Sequence, residues 1–544
     1  MQSIPMQLNP NTHQWEKASP MTILYDHRGR AMAISSGAYT GASTSRRALR
    51  YFNPKHLDAD SALLPELPRL RDISEDLARN SPLALGAINT AVTNVVGAGL
   101  KLQCRIDREF LKMEEEQADE WETNTEREWH LWADSQNCDI ARTIPFSEGQ
   151  DLVFRKVLID GDIFILMTRK EIKDSPYTLR LQYIEGDRVK NKDNVSETKT
   201  LKAGVEKDEN GAPLNYHIMK DSPGSMYFPI KQEWDVIPAF SNKTNLRNII
   251  HLYRMLRPGQ SRGLPYLSPV IELLKQLTRY SEAEIMAAVI SSYFTGVIET
   301  ESTGQNMIGN MIGDDDVDSA VAGSTSDQDI KLGPGALIGL KIGEKITFGN
   351  PGRPNTGFGE FINSILQQIG VALEIPFEIL IGHFSASYSA SRAALLEAWR
   401  FFRGRRAWLS RNFCQLVYEN WLYEAVAIGR IKAPGFFKDV MIRKAFSNAI
   451  WIGEAPSQID PVKEVDAAEK RLNLFLTTRD EETVGLTGGD FEGNFGRIKK
   501  EMKMLNEITS IRKPDPVNGK SSLTKEEKPM GSDIENETVE EGKQ

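Results

Sequence analysis

Two acidic turns are the segments of this sequence whose residue types and spacing could support catalysis. Asp160-Gly161-Asp162 and Glu185-Gly186-Asp187 each place two carboxylates two positions apart, beside strand-like segments. Carboxylates at that spacing could hold magnesium for a metal-dependent nuclease. Asp and Gly also suit the backbone angles of tight turns, and the sequence favours this second interpretation.

Other catalytic signatures are absent from the sequence. It contains no GxxxxGK[ST] phosphate loop, no HExxH zinc motif and no GxSxG elbow, and its seven histidines lack ligand spacing. Cys104, Cys138 and Cys414 form no CxxC pair, which indicates buried thiols in a reducing compartment. We therefore expect no catalytic residue, no metal and no cofactor, and a protein that is not an enzyme.

Length and charge narrow the class of protein. The chain has 544 residues and a formal net charge of −9, which suggests roughly two to four folding units. Mild acidity argues against a protein that coats nucleic acid, but it permits a channel along which DNA slides. The longest apolar run, 285–298, is shorter than the roughly 20 residues of a membrane span, so we expect no membrane contact.

The N-terminal half combines helices with short strands. Residues 70–96 follow a helical pattern that breaks at Ser81-Pro82, a cap and first-turn pair, and closes at Gly97. Residues 112–134 carry three tryptophans at helical spacing, which is typical of packing rather than of a binding site. Strand-like segments then alternate with turns from about 163 to 240.

Three long helices are predicted in the C-terminal half. The first begins at an N-cap, Ser268, and extends to residue 298, the second covers 356–375, and the third runs from about Ser391 to Ile428. A polar, glycine-rich insertion at 299–355 separates the first two helices. Two long helices around an insertion predict a stalk that carries a tip.

Five collinear segments resemble the lambda family of phage portal proteins. They are 63–103, 251–271, 351–380, 388–402 and 459–479, which begin LLPELPRL, HLYRMLRP, PGRPNTGF, YSASRAAL and IDPVKEVD. Together they extend over roughly residues 45 to 510. The resemblance implies a portal-protein fold of the mixed α/β (α+β) class. Such a fold is helix-rich, with stem helices that flank a clip insertion and a wing domain of small strands.

The resemblance also implies a division of the chain into functional segments. These are a flexible N-terminal arm (1–50), the wing (51–267), a stem helix (268–298), the clip with its flexible insertion (299–355), a second stem helix (356–375), a channel loop with a long wing helix (376–430), the crown (431–510) and a disordered tail (511–544). The basic N-terminal arm would touch nucleic acid or a neighbouring subunit, or is simply solvated.

The resemblance also implies a function. Copies of the chain would form a homo-oligomeric, dodecameric ring whose channel carries double-stranded DNA at one capsid vertex. The expected roles are genome packaging, genome ejection and head-tail connection. Because the sequence lacks a phosphate loop, we expect a passive DNA gate and an ATP-driven motor that is a separate protein. Expected partners are the terminase large subunit, the major capsid and scaffold proteins, and head-completion or tail connector proteins. The expected location is the portal vertex of the virion, and the host cytoplasm during assembly.

Candidate DNA contacts lie in the loop at 382–390 and in the helix behind it. The loop residues expected to line the channel are His383, Phe384, Ser385, Ser387, Tyr388 and Ser389. None is acidic, and Ser and Tyr hydroxyls can make exchangeable hydrogen bonds to phosphates. Residues 392–411 carry six arginines against one glutamate, and the candidates for facing the channel are Arg392, Arg400 and Arg403. Salt bridges between subunits are the alternative role of these arginines.

Two other functions are compatible with the sequence. One is a metal-dependent nuclease that uses the acidic turns. The other is a head-tail adaptor of the same particle, although such adaptors are usually much shorter and lack paired stem helices.

Overall fold

The computed structural model describes residues 6–8, 15–17, 40–43, 46–173, 175–226, 232–293, 297–300, 344–347, 357–383, 387–456, 461–489 and 491–511. It divides into two compact units. Unit 1 falls within Met1–Leu85, Arg155–Thr168 and Leu181–Ile365, and unit 2 within Gly86–Phe154, Arg169–Arg180 and Leu366–Gln544. Helices and small sheets are mixed along the chain, which confirms the predicted fold class.

The α-helices are α1 (Ala59–Leu63), α2 (Leu67–Asn80), α3 (Pro82–Val95), α4 (Arg108–Leu111), α5 (Glu115–Ala133), α6 (Phe146–Asp160), α7 (Ile271–Tyr293), α8 (Phe358–Ala372), α9 (Phe377–Ile381), α10 (Tyr388–Leu409), α11 (Gln415–Ala427), α12 (Val440–Phe446), α13 (Pro461–Asn473), α14 (Arg479–Thr487) and α15 (Phe491–Ile511). A π-helical turn, Ser410–Cys414, joins α10 to α11.

The strands are β1 (Met6–Leu8), β2 (Trp15–Lys17), β3 (Lys101–Cys104), β4 (Asp162–Arg169), β5 (Leu179–Glu185), β6 (Leu201–Lys202), β7 (Val205–Lys207), β8 (Pro213–Met219), β9 (Trp234–Pro238), β10 (Ile249–Tyr253), β11 (Val297–Thr300), β12 (Glu344–Thr347) and β13 (Ala449–Ile452). Their sheets have the orders β1-β2, β10-β4-β5, β11-β12, β13-β3 and β6-β7-β8-β9. The strands predicted between 163 and 240 therefore exist.

The predicted break at Ser81-Pro82 separates α2 from α3. Ser81 has an extended backbone (φ −102°, ψ 112°), and its Oγ accepts a hydrogen bond from the Ala84 amide at 3.5 Å. Pro82 is the first residue of α3, where its missing N–H leaves no helical bond unmade. Past the end of α3, Gly97 has φ +58°, a conformation that favours glycine.

The ends of the first long C-terminal helix differ from the prediction. Ser268–Val270 form a 3₁₀ turn, and the α-helix begins only at Ile271, because the Val270 amide bonds to the Leu267 carbonyl at 2.9 Å in a tighter turn. The predicted extension to residue 298 is also wrong. The helix ends at Tyr293, and residues 297–300 form a strand, where β-branched residues are favoured.

The core of unit 1 lies under its small sheets. Residues that come from β4, β5, β7, β8 and β10 and from the loops between them form one buried apolar cluster, comprising Phe164, Ile184, Val189, Val205, Tyr216, Ile218, Ala239 and Ile249. The β4–β10 pairing is antiparallel with Phe164 opposite His251, so the alternation of side chains directs Phe164 into this cluster.

The core of unit 2 is built around Trp129 of α5. This side chain is 2% exposed, and its ring centroid lies within 5.8 Å of five other rings, those of Trp132, Phe146, Tyr418, Trp421 and Trp451. Most of these contacts are edge-to-face, the geometry that aromatic quadrupoles favour. The tryptophans predicted to serve packing are therefore core residues.

We predict that Trp129→Ala lowers the free energy of unfolding by about 3–5 kcal/mol, because it leaves a cavity among five rings. Leu131 on the same helix is 58% exposed, so Leu131→Ala is the matched control and should cost less than about 0.5 kcal/mol. Urea unfolding followed by circular dichroism measures both values. Equal losses for the two variants would contradict this description of the core.

Candidate functional site

Both acidic turns lie in unit 1, at the ends of strands. Asp160 is the last residue of α6, Gly161 has φ +89°, and Asp162 is the first residue of β4. A Cβ at Gly161 would come within 2.6 Å of the Gly263 carbonyl carbon, so the turn requires glycine for space as well as for backbone angle. The interpretation of these residues as turn residues is confirmed.

Asp162 is fully buried, and both of its carboxylate oxygens are occupied by donors. Oδ1 accepts from Arg71 Nη2 at 2.5 Å and from Arg262 Nη2 at 3.2 Å. Oδ2 accepts from Arg262 Nε at 2.6 Å and from the Gly263 amide at 3.1 Å. The Nε2 atom of His251 lies 3.2 Å from the same Oδ2. We call Asp162, Arg71, Arg262 and His251 the Asp162 network.

The electrostatics of the Asp162 network favour ionised Asp162 and neutral His251. Burial opposes the charged form of Asp162, but the guanidinium groups of Arg262 and Arg71 outweigh it and hold its pKa well below the usual range. Burial lowers the pKa of His251 to about 4, against the attraction of Asp162. At neutral pH the two arginines therefore face a single carboxylate within the network, and Asp187 lies 3.3 Å from Arg71.

The other carboxylates of the turns are also paired with cations. Lys156 Nζ lies 2.8 Å from Asp160 Oδ2 and 2.8 Å from Glu185 Oε1. These carboxylates raise the pKa of Lys156 against the effect of burial. Within the described ranges, no three His, Cys, Asp or Glu side chains are grouped as metal ligands. The turns bind the protein's own cations, so this geometry offers the nuclease alternative no site.

The predicted channel loop lies in unit 2, between α9 and α10. Gly382 ends α9 in the left-handed conformation (φ 65°), and the exposed His383 donates its amide to the Glu378 carbonyl at 3.1 Å. Phe384 and Ser385 lie outside the described residues.

The C-terminal end of this loop is shorter than predicted. Ser387 is the N-cap of α10, with φ −59° and ψ 156°, and its carbonyl accepts from the Ser391 amide at 2.9 Å. Tyr388 and Ser389 are therefore residues of the first helical turn, and the prediction that the helix starts near Ser391 is wrong. Ala390, which follows them in the same turn, has the highest helix propensity of any residue.

The three candidate arginines of α10 differ in their surroundings. Arg392 lies 4.0 Å from Glu464 of α13, and Arg400 lies 3.2 Å from Glu397 one turn earlier, with both side chains mostly exposed. Arg403 is exposed and lines an open cleft of about 670 Å³. An exposed ion pair such as Arg400–Glu397 contributes little stability in water, so the guanidinium groups of Arg400 and Arg403 can contact an external anion.

Arg406, one helical turn after Arg403, has an internal structural role that its sequence position did not reveal. Its guanidinium group donates to three backbone carbonyls of unit 2, those of Val95 at 3.0 Å, Asn94 at 2.9 Å and Glu454 at 2.9 Å. It also lies 5.4 Å from the centre of the Trp399 ring. Burial lowers its pKa. Arg406 therefore caps the C-terminal end of α3, where a cation is favoured.

Comparison with known proteins identifies the family. Residues 45–406 match the family model described as phage portal protein, lambda family. The chain belongs to this family. All the candidate residues from His383 to Arg403, both acidic turns and the Asp162 network lie inside the matched range. The family assignment confirms the resemblance noted in the sequence.

Relatives match over most of their length. The chain is 26% identical over 484 residues to the portal protein of Escherichia phage N15, covering 86% of this chain and 90% of the relative. It is 25% identical over 481 residues to portal protein B of Escherichia phage lambda, covering 86% and 89%. A chain in the solved neck of a native gene transfer agent particle has 13% identity and a TM-score of 0.39, covering 76% of this chain and 94% of that chain. None of the helices in the described ranges is long and apolar enough to cross a membrane.

We predict that Asp162→Asn lowers the free energy of unfolding by about 3–5 kcal/mol, because it removes the counter-charge of the buried Arg262 and leaves the buried Arg71 with only the part-exposed Asp187. Asp187, whose side chain is 40% exposed, provides the control: Asp187→Asn should cost less than about 1 kcal/mol. Chemical denaturation of both variants measures the difference. A stable Asp162→Asn variant would show that the Asp162 network does not hold unit 1 together.

Proposed function

We propose that twelve copies of this chain form a closed ring whose central channel carries double-stranded DNA at one vertex of a capsid. The observation that carries the proposal is the family match over residues 45–406, together with relatives named portal proteins that align over 86% of the chain. The role is structural: the ring serves genome packaging and ejection, while another protein supplies the motor.

Exposed apolar side chains on the long helices support assembly into a ring. On α7, Ile285 and Met286 are 62% and 58% exposed, and on α8, Phe361 and Val371 are 51% and 83% exposed. Such side chains on a single chain contact water, whereas a neighbouring copy would bury them. Contacts of one surface with a different surface of the next copy close into a ring when the rotation allows it.

The connection between α7 and α8 supports the stem and clip assignments. Tyr280 of α7 packs against Phe358 and Phe361 of α8, with ring centroids 5.5 and 5.0 Å apart. After α7, strand β11 pairs with β12 in an antiparallel register, with Thr300 opposite Glu344. In the proposal α7 and α8 form the stem, the segment between them is the clip, 51–267 is the wing and 431–510 is the crown.

The proposed channel contacts combine the 382–390 segment with the arginines behind it. The residues that would face DNA are His383, Phe384, Ser385, Ser387, Tyr388 and Ser389. Arg392, Arg400 and Arg403 would supply positive charge. Weak, exchangeable hydrogen bonds and screened charge suit a strand that must slide and then be held. The clip would bind the terminase large subunit during packaging and head-completion or tail connector proteins afterwards. The major capsid and scaffold proteins would contact the ring during assembly in the host cytoplasm, and the ring would remain at the portal vertex of the virion.

We predict that the purified chain assembles without nucleotide into closed rings, because its apolar helix faces need a second copy. Negative-stain microscopy should show rings with a central hole, and native mass spectrometry should give a mass of twelve copies. Monomers only, at micromolar concentration and moderate salt, would overturn the proposed function.

We predict that replacing Phe384, Ser385 and Tyr388 together with alanine leaves ring formation and terminase binding unchanged but reduces retention of packaged DNA. The reason is that the hydroxyl and aromatic side chains that would contact DNA are lost, while the interface between neighbouring copies is not altered. Phe475→Ala, at a 93% exposed position of unit 2, is the control and should retain DNA normally. Unaltered packaging and retention in the triple variant would remove this loop from the mechanism.

A further inference from the structure

Residues 46–57 of unit 1 form an exposed segment that we call the arm. The amides of Leu49, Arg50 and Phe52 bond to carbonyls of residues 46 and 49, so these hydrogen bonds remain within one local turn. All residues from Arg50 to Asp58 are exposed. The far end of the arm is tied to the unit by Arg257, which donates to the Leu57 carbonyl at 2.9 Å. The arm is thus anchored at one end and extends away from its own core.

Two large aromatic side chains stand in solvent on this arm. Tyr51 is 88% exposed and Phe52 is 71% exposed. The Arg50 guanidinium lies 5.8 Å from the centre of the Tyr51 ring. Each aromatic residue can bury roughly 150–250 Å² of surface in a contact. Adjacent exposed aromatics on an anchored segment are suited to insertion into another surface.

Unit 1 also carries a groove of about 540 Å³ between the start of α2 and the segment that follows β5. Four of the residues that line it are large and apolar, namely Leu64, Leu67, Val189 and Val195. Leu67 and Val189 are buried, while Val195 is 54% exposed at the rim. The volume lies within the range of ordinary ligand pockets, and an apolar surface of this kind is stabilised when it is covered.

The charges of the arm and of the groove are complementary. The arm has four cationic side chains, Arg46, Arg47, Arg50 and Lys55, and no carboxylate. The charged side chains that line the groove are Asp72, Asp187 and Glu197 and the cations Lys190, Arg71 and Arg262. Arg262 is paired with the buried Asp162, and Arg71 with Asp162 and Asp187. Among the lining residues, Asp72 and Glu197 are therefore the carboxylates that can face the arm cations, against the exposed Lys190. A basic, aromatic segment therefore fits an acidic, apolar groove.

We propose that the arm of one copy docks in this groove on the next copy, with Tyr51 and Phe52 against its apolar residues and the arm cations beside Asp72 and Glu197. This inference rests on the proposed ring and names one of its contacts. Among the described residues, the arm of the same chain is exposed and does not line the groove, so we assign the groove's occupant to a second copy. The contact joins two different surfaces, as a closed ring requires.

Duplex DNA is the other anion that the arm could bind. Exposed aromatic rings stack on bases that are unpaired, whereas paired bases in a duplex are not available to them. The groove offers apolar side chains against which Tyr51 and Phe52 can pack, whereas duplex DNA does not. The second copy is therefore the occupant that the observations favour.

Disulfide trapping in the full chain tests the docking directly. The variant Phe52→Cys with Val195→Cys carries one thiol on the arm and one at the groove rim, while the native cysteines are all buried. Under mild oxidation, non-reducing electrophoresis should show a ladder of multimers above the dimer. Each single-cysteine variant is a control and should stop at the dimer. A double variant that stays monomeric, or that links only within one chain, overturns the proposal.

Assembly and DNA binding of arm variants complete the test. Tyr51→Ala with Phe52→Ala should raise the concentration at which half of the chains are assembled by at least tenfold. Phe110→Ala, at an exposed aromatic of α4, should leave that concentration unchanged. Normal assembly of the arm variant combined with weaker binding of a fluorescent DNA duplex would overturn the proposal in favour of DNA.

A charge exchange separates pairing from simple loss of side chains. Arg47→Glu with Arg50→Glu should weaken assembly, and adding Asp72→Lys with Glu197→Lys should restore at least part of it. If assembly is weakened by the arm substitutions and is not restored by the groove substitutions, the groove is not the partner of the arm. Microscopy keeps this inference distinct from the proposed function: rings without a disulfide ladder overturn the arm contact alone. If wild-type protein forms no rings, the proposed function fails, and the ladder still decides whether the arm joins two copies.

Discussion

The buried carboxylate of Asp162 is the interaction on which the organisation of unit 1 depends. It receives hydrogen bonds from Arg71 on α2 and from Arg262 and Gly263 before α7, and it lies beside His251 on β10. A buried ion costs several kcal/mol to desolvate, so it is retained only where partners saturate it. Here saturation requires three separate stretches of chain to converge on the first residue of β4.

This convergence also positions the elements that the proposed ring needs. Arg262 donates to the carbonyls of Val189, Ala203 and Gly186 as well as to Asp162. It therefore ties the segment before α7 to the loops of unit 1. The same loops form the groove in which we place the neighbouring arm. Removing Asp162 would release both the start of the stem helix and the shape of that groove.

Several features could be predicted from the sequence because their causes are local or periodic. The Ser81-Pro82 break follows from the backbone preferences of two adjacent residues, and the burial of Trp129 follows from helical spacing. The helix boundaries at 293 and 388 were missed because tertiary pairing and capping decide them: residues 297–300 pair with β12. The role of Arg406 was missed because its three acceptors lie 48 to 312 positions away.

By itself the sequence determined the family, the mixed fold class, the long helices around an insertion and the absence of a phosphate loop, since each is expressed in contiguous residues. Tertiary structure alone decided what the acidic turns do. Arg71 and Arg262 are separated from Asp162 by 91 and 100 positions, and no local pattern reveals a partner at that distance. Only the folded chain brings these cations to the carboxylate of Asp162. The acidic turn, whose spacing could suit a metal ion, therefore forms a structural ion pair.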